Sequence, residues 1–413
     1  MINQKKRFAL FYPSQELGGA ELLISRLAEE LSERGNCVTV LDSDKGIIRD
    51  NIKNKGVFCL TVSCDHPVSI DSDYLIVFAS HLSSLGRFVN SNDNCRVLFW
   101  SVHPLNSIYL FPRLGEWLFQ GDINYLKIVN RILFSSEVGV RSRALNELIR
   151  ANAFFCMDGE NSRVLNLYYG LDGGGKFIPV PVPISGCPLG KRDFQESGII
   201  TIAWYGRLCD FKVHALVYLI YQLKFLERFY RIKLLVIGDG PLKSKVERAI
   251  AETGLSVCFK GTMTNAAAQK LLYEESDIVF AMGTAALESG AIGIPTVLVD
   301  ASYKPIDFNY GFQWLYQTKE FTLGRFIKKS DAMAGVSLDA LLRDACDDYK
   351  RHSVASFDYV RSNHDISNVV NLLERYCEES EMSLAKFIRV TNYKGAFLLR
   401  AARYVRKLLG GKE

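Results

Sequence analysis

The sequence predicts an α/β chain built from two doubly wound halves, each a parallel sheet with helices on both faces, followed by further helices. Three observations carry this. Short apolar runs alternate with helical stretches from residue 8 to about residue 157, which is the signature of βαβ units. Four prolines (Pro179, Pro181, Pro183 and Pro188) then break the pattern with no helical period. From residue 199 the alternation starts again.

Residues 8–12 read as a strand, and Gly19-Ala20 opens a helix running to about residue 34. Its apolar positions Leu22, Leu23, Leu27, Ala28 and Leu31 recur at helical spacing, and Gly35-Asn36 stops it. Buried strands follow at 38–41, 74–79, 96–100 and 153–157. The second half shows strands at 199–205, 234–237, 257–260, 278–281 and 296–299. Helices separate them at 213–229, 241–253, 264–275 and 283–292. The expected domains are 1–182 and 199–375, joined by a linker at 183–198, with C-terminal helices over 376–413. Two Rossmann-like halves imply a cleft facing the carboxyl ends of both sets of strands, so residues just after strands are the candidates for ligand contact.

Composition excludes several classes. With 413 residues, 48% hydrophobic and 23% charged, the chain is ordinary globular protein, neither disordered nor collagenous. The basic start Lys5-Lys6-Arg7 is followed by an apolar run too short for a signal peptide, and Pro13 ends it. No stretch approaches the roughly 18 to 20 apolar residues that span a bilayer. Cytoplasmic location is expected. Ten cysteines without a Cys-x-x-Cys pair read as reduced thiols, and six histidines show no metal-ligand spacing, so neither metal nor cofactor is expected. The net charge of +5 is concentrated at the end: residues 383–413 hold eight basic side chains and one acid, a net +7, leaving −2 for the rest.

Several residues after strands carry chemistry. Arg207, in Trp204-Tyr205-Gly206-Arg207-Leu208, and Lys212 five positions on can converge on one anion, the first as a planar fork and the second as a point charge. Val236-Ile-Gly238-Asp-Gly240-Pro241 is a glycine turn opening a helix, which alone means a tight turn. Strand 278–281 runs into Gly283, Thr284 and Ala285, whose amides at a helix start form a phosphate site. Glu288 follows about one turn later among small apolar residues; buried, it needs hydrogen-bond donors. In the first half, Gly18-Gly19-Ala20-Glu21 lets a phosphate or sugar approach bare backbone. His103, in Trp100-Ser-Val-His103-Pro104, sits just past a buried strand, a position that suits catalysis.

In order, these segments resemble the family 4 glycosyltransferases, a retaining, bacterial-polysaccharide type with the two-Rossmann GT-B fold. The resemblance runs through Gly18-Gly19-Ala20-Glu21, His103-Pro104, Gly206-Arg207-Leu208 with Lys212, Gly238-Asp-Gly-Pro241, Tyr273-Glu-Glu-Ser-Asp277 and Leu287-Glu288 with Gly293-Ile-Pro295. It implies that Arg207 and Lys212 hold the donor diphosphate and that Glu288 holds the ribose hydroxyls. It places Gly18 and Gly19 against the donor phosphates and His103 near the reacting sugar. One departure stands out. The family pattern Glu-x7-Glu puts its first Glu at position 280, which is Phe280, so the amides of Gly283 and Thr284 are expected to take over that contact.

Two other phosphate motifs fail. Gly170-x4-Gly175-Lys176 is followed by Phe177 where a P-loop needs Ser or Thr, and Gly238-Asp-Gly240 lacks the third glycine of a dinucleotide fingerprint. The tail carries Leu384, Phe387, Ile388, Leu398, Ala402, Val405 and Leu409 at mostly helical spacing among its basic residues. It suits an anionic membrane surface through 384–409, or else an interdomain packing helix. No nucleic-acid motif is present. The sequence thus points to a nucleotide-sugar-dependent glycosyltransferase acting on a saccharide, lipid-linked or oligosaccharide, at the inner face of a bacterial membrane. The alternatives are a catalytically degenerate binding subunit of the same fold and a nucleotide-sugar epimerase.

Overall fold

Strand β1 (Arg7–Phe11) buries four consecutive apolar side chains, Phe8 to Phe11, as a strand covered on both faces must. The computed structural model describes residues 5–15, 18–108, 122–171, 176–184, 198–332 and 335–391. It divides into two compact units, residues 1–178 with 370–413, and residues 179–369. The first boundary lies four residues before the expected 182. The second falls six before 375, because the chain returns to the first unit earlier than its helical pattern suggests.

In the first unit, β1 is followed by α1 (Gly19–Glu33), β2 (Cys37–Asp42), the single turn α2 (Ile48–Asn51), β3 (Val57–Thr61), β4 (Tyr74–Phe78) and β5 (Arg96–Ser101). Helices α3 (Ile123–Leu133) and α4 (Ser135–Arg150), strand β6 (Phe154–Cys156) and helix α5 (Gly159–Tyr169) come next. The six strands are parallel in the order β3-β2-β1-β4-β5-β6. Strand β3 was not expected from the sequence. It is the sheet edge, where Phe58 and Leu60 are exposed although Val57-Phe58-Cys59-Leu60 is an apolar run. Gly170, the first residue of the failed P-loop, ends α5 in the left-handed conformation (φ 67°) and opens no phosphate loop.

The second unit repeats the order. It contains β7 (Ile200–Tyr205), α6 (Asp210–Leu226), β8 (Ile232–Ile237), α7 (Lys243–Thr253), β9 (Val257–Gly261), α8 (Asn265–Glu275) and β10 (Ile278–Ala281). After these come α9 (Thr284–Gly290), β11 (Thr296–Leu298), β12 (Gln313–Trp314), α10 (Leu338–Asp347) and α11 (Tyr349–His364). Its sheet runs β9-β8-β7-β10-β11-β12, antiparallel only at β12. Both sheets therefore reverse direction between their first and fourth strands, the switch point at which doubly wound sheets hold ligands. Gly290 lets α9 press on α11: a Cβ there would lie 2.8 Å from Val360 Cγ2.

Helix α12 (Ile366–Glu379) carries the chain back, and α13 (Leu384–Thr391) packs on the first unit. The amide of Leu384 donates to Cys95 O at 2.8 Å, and the Phe387 ring lies 4.5 Å from that of Phe99. Leu384 and Phe387 are fully buried. These two apolar residues, expected to face lipid, are instead core of the first unit; residues 392–409 of the proposed membrane helix lie outside the described residues. Among the described residues no helix is long and apolar enough to cross a membrane.

Candidate functional site

The carboxyl ends of β7 and β10 border the switch point of the second unit, and the loops that leave them carry the candidate residues. After β7 the chain turns through Gly206-Arg207-Leu208 into α6. This loop is held by backbone. Gly206 N donates to Ile237 O at 3.0 Å, Leu208 N to Asp239 O at 3.0 Å, and Leu242 N to Leu208 O at 3.1 Å. The approach is so close that a Cβ on Gly238 would sit 2.2 Å from Gly206 O, and one on Gly240 would sit 2.4 Å from Leu208 O. The glycine turn after β8, which the sequence read as a tight turn, is thus the clamp on the Arg207 loop. That role depends on a contact between chain segments thirty residues apart, which no local pattern reveals.

Arg207 is exposed at the tip of the loop, and Lys212 follows in the first turn of α6. Neither has an ion-pair partner among the described residues. Burial holds Lys212 below the usual lysine value, opposed by Cys209 and helped by a smaller push from the Arg207 guanidinium. Its ammonium lies 5.7 Å from the Phe211 ring centroid. Two cations without an ion-pair partner among the described residues, one on the loop and one in the helical turn it leads into, favour an anion.

After β10 only Met282 and Gly283 separate the strand from α9. Gly283 adopts φ 64°, which only glycine takes readily, and its amide donates to Leu323 O at 2.8 Å. The expected free amide at Gly283 is therefore already used; Thr284 and Ala285, both half-buried, begin the helix. Glu288 is only 5% exposed, and its carboxylate accepts from Tyr205 Oη at 3.1 Å and from Asn265 Nδ2 at 2.9 Å. The sequence anticipated a buried acid needing donors but missed both donors. Tyr205 ends β7 and Asn265 begins α8, so each lies on a different strand-to-helix connection.

Phe280 corrects the expected departure at the first Glu. It lies within β10, paired in register with Trp204 and Val297, and is 0% exposed with its ring edge-on to Phe312. Position 280 is core, and the two-residue turn after β10 carries no side chain that could present an acid.

In the first unit, Gly18 caps α1 and Gly19 is its first residue, both exposed. The carboxylate of Glu21 folds back to this end: its Oε1 accepts from Ser14 Oγ at 2.6 Å, and a Cβ on Gly18 would lie 3.0 Å from its Oε2. Burial and the charge of Glu21 push the Tyr12 hydroxyl up to about 12. A negative group thus already occupies the N-terminus of α1, where the sequence expected phosphate. His103 follows β5; its Nδ1 accepts from the Leu105 amide at 3.2 Å, and burial lowers it to about 4. The ring is neutral near pH 7 with its proton on Nε2, which makes it a hydrogen-bond donor and not a base at that atom. His81, His352 and His364 are held by ring and hydrogen-bond contacts within their own units.

No family model matches the chain, and no curated protein matches it in sequence. Solved structures do. The chain is similar to HepE of Anabaena in complex with UDP and glucose (TM-score 0.54, 13% identity, 90% of this chain and 99% of that one). It is similar to a glycosyltransferase of Rickettsia africae (TM-score 0.55, 13% identity, 91% and 98%) and to TarM (TM-score 0.56, 11% identity, 91% and 99%). The fold is GT-B. In this GT-B chain Arg207 and Lys212, without an ion-pair partner among the described residues, belong to the second unit and the Glu21 carboxylate at a helix start to the first.

Proposed function

We propose that the chain is a metal-independent, retaining glycosyltransferase of family 4 type, moving a sugar from a nucleotide-diphosphate donor to a saccharide acceptor. The observation that supports this most is the Arg207–Lys212 pair, two cations without an ion-pair partner among the described residues, on a backbone-clamped loop and the helix turn it enters at the switch point of a sheet. A diphosphate matches that charge and that position. The GT-B fold is shared with HepE, whose structures hold UDP, UDP and glucose, or UDP-glucose.

In this reading Arg207 and Lys212 neutralise charge building on the leaving diphosphate, where fixed cations lower the barrier most. The amides of Thr284 and Ala285 add to that field, with Gly283 as the bend that aims them. Glu288, held by Tyr205 and Asn265, accepts from the ribose hydroxyls. The acceptor hydroxyl passes its proton to the departing phosphate on the same face of the sugar. His103, with its proton on Nε2, offers a hydrogen-bond donor to a sugar hydroxyl. Gly18 and Gly19 offer bare backbone to sugar hydroxyls, since Glu21 disfavours phosphate beside them. A lipid-linked acceptor at the inner face of a bacterial membrane, in surface polysaccharide synthesis, would use the +7 tail. Anionic vesicles should then retain the full chain and release it at 1 M salt, because such attraction is screened within about 8 Å at physiological salt.

The test is to incubate the protein with UDP-, GDP- and ADP-sugars and follow slow donor hydrolysis. Hydrolysis of one donor, lost in Arg207→Ala, supports the reading; hydrolysis unchanged in that variant rejects it. The two-residue turn after β10, without an acid, favours one second reading: a degenerate subunit that binds nucleotide sugar and does not react it. Tight binding with no hydrolysis and no transfer would favour that instead.

A further inference from the structure

Trp204 lies on β7, next to the candidate site and facing the core beneath α6. It is 1% exposed, yet its indole Nε1 has no hydrogen-bond partner among the described residues. Buried indole N–H groups normally find an acceptor, so this one calls for an explanation. The position of Gly206 supplies it. A Cβ built on Gly206 would lie 3.4 Å from Lys212 Nζ, 3.7 Å from Lys212 Cδ and 3.9 Å from Trp204 Nε1, its three nearest neighbours. A cation and a neutral donor, neither with an acceptor among the described residues, therefore both lie within 4 Å of the point where a side chain on residue 206 would begin.

We propose that Trp204 is a binding residue of this site, its indole N–H donating to the same phosphate group that Lys212 binds, with Gly206 leaving the room. The inference rests on the donor-site reading above and adds a residue to it. The ligand chemistry is a phosphoryl oxygen. Lysine supplies charge without direction, whereas the indole N–H is fixed by the packed ring and selects where the oxygen sits. The lowered affinity of Lys212 for its proton fits a group that waits, desolvated, for a negative partner.

The test uses the native chain with 15N-labelled tryptophan, whose four indole signals are assigned by Trp-to-Phe substitution. The Trp204 indole proton should move downfield on adding UDP, and also with pyrophosphate, but not with uridine. Trp204→Phe keeps the ring and loses the donor, so UDP affinity should fall about tenfold with little change in melting temperature. If Trp204→Phe does not fold, the native-chain signal alone decides. UDP binding with an unmoved indole signal, or with native affinity in Trp204→Phe, overturns the inference and leaves the donor site standing. If no nucleoside diphosphate binds the native chain at all, the donor-site reading and this inference fall together.

Discussion

In the first unit the switch point lies between β1 and β4, next to the exposed glycines of α1 and a carboxylate, Glu21, folded against Gly18. In the second unit the equivalent place lies between β7 and β10, next to Arg207 and Lys212, which have no ion-pair partner among the described residues, while the site's own carboxylate, Glu288, is bound by Tyr205 and Asn265. Strand order and helix direction are the same. What differs is a handful of side chains in the connecting loops, and these invert the local charge. The fold supplies a crevice and bare helix ends; the loops decide whether the guest is an anion or a hydroxyl-bearing neutral.

The largest expected effect tests whether the second site lacks a further acid at position 280 because of one substitution or because of its backbone. Phe280→Glu would bury an unpaired carboxylate in the sheet and remove an aromatic core contact, costing about 3 to 5 kcal/mol or more. Thermal or urea unfolding should show a collapse in stability. A folded and more active Phe280→Glu protein would mean that position 280 reaches the site, against its pairing with Trp204 and Val297.

Next come the cations. Lys212→Ala removes one charge-assisted contact of about 1.5 to 3 kcal/mol and should cut donor turnover by about 10- to 100-fold at nearly constant melting temperature. Equal turnover would remove Lys212 from the site. Tyr205→Phe removes one hydrogen bond of about 1 kcal/mol to Glu288, so nucleotide affinity should fall about fivefold. The loss should vanish for a 2′,3′-dideoxy nucleotide; a loss that persists there would detach the ribose from Glu288. At the small end, Glu21→Gln in the first unit should change UDP affinity less than about twofold, since no phosphate is assigned to that turn.

Acid affects both units alike. His81 and His103 in the first and His364 in the second are lowered by burial to about 4. Unfolded, each would titrate near 6.5, so between about 6.5 and 4 the unfolded chain binds protons that the native chain does not. Their contribution to stability is complete above 6.5 and is lost as pH falls toward 4. Melting temperatures measured across that window should decline with pH. A flat profile would mean that these rings are not buried in neutral form.

The sequence made the paired sheets legible because buried parallel strands leave continuous apolar runs. It also made Arg207, Lys212 and Glu288 legible, because their positions after strands restrict what such side chains can do. It failed where function depends on contacts between distant segments. Gly238 and Gly240 serve the loop after β7, and the Gly283 amide is taken by Leu323 from forty residues away. Counting eight residues back from Glu288 reached Phe280, because the turn between strand and helix is only two residues long. Leu384 and Phe387 kept a membrane-like spacing while packing on protein, since an apolar face looks the same to both.

The central claim is that the second unit's switch point holds a nucleoside diphosphate through its cations. Calorimetric titration of the native chain and of the Arg207→Ala/Lys212→Ala double variant, each with UDP, GDP, ADP and the corresponding nucleosides, tests it directly. The native chain should bind one diphosphate at least about 100-fold more tightly than its nucleoside, which is what two charge-assisted contacts are worth. In the double variant that difference should disappear while the fold survives. A diphosphate preference of undiminished size in the double variant would contradict the account.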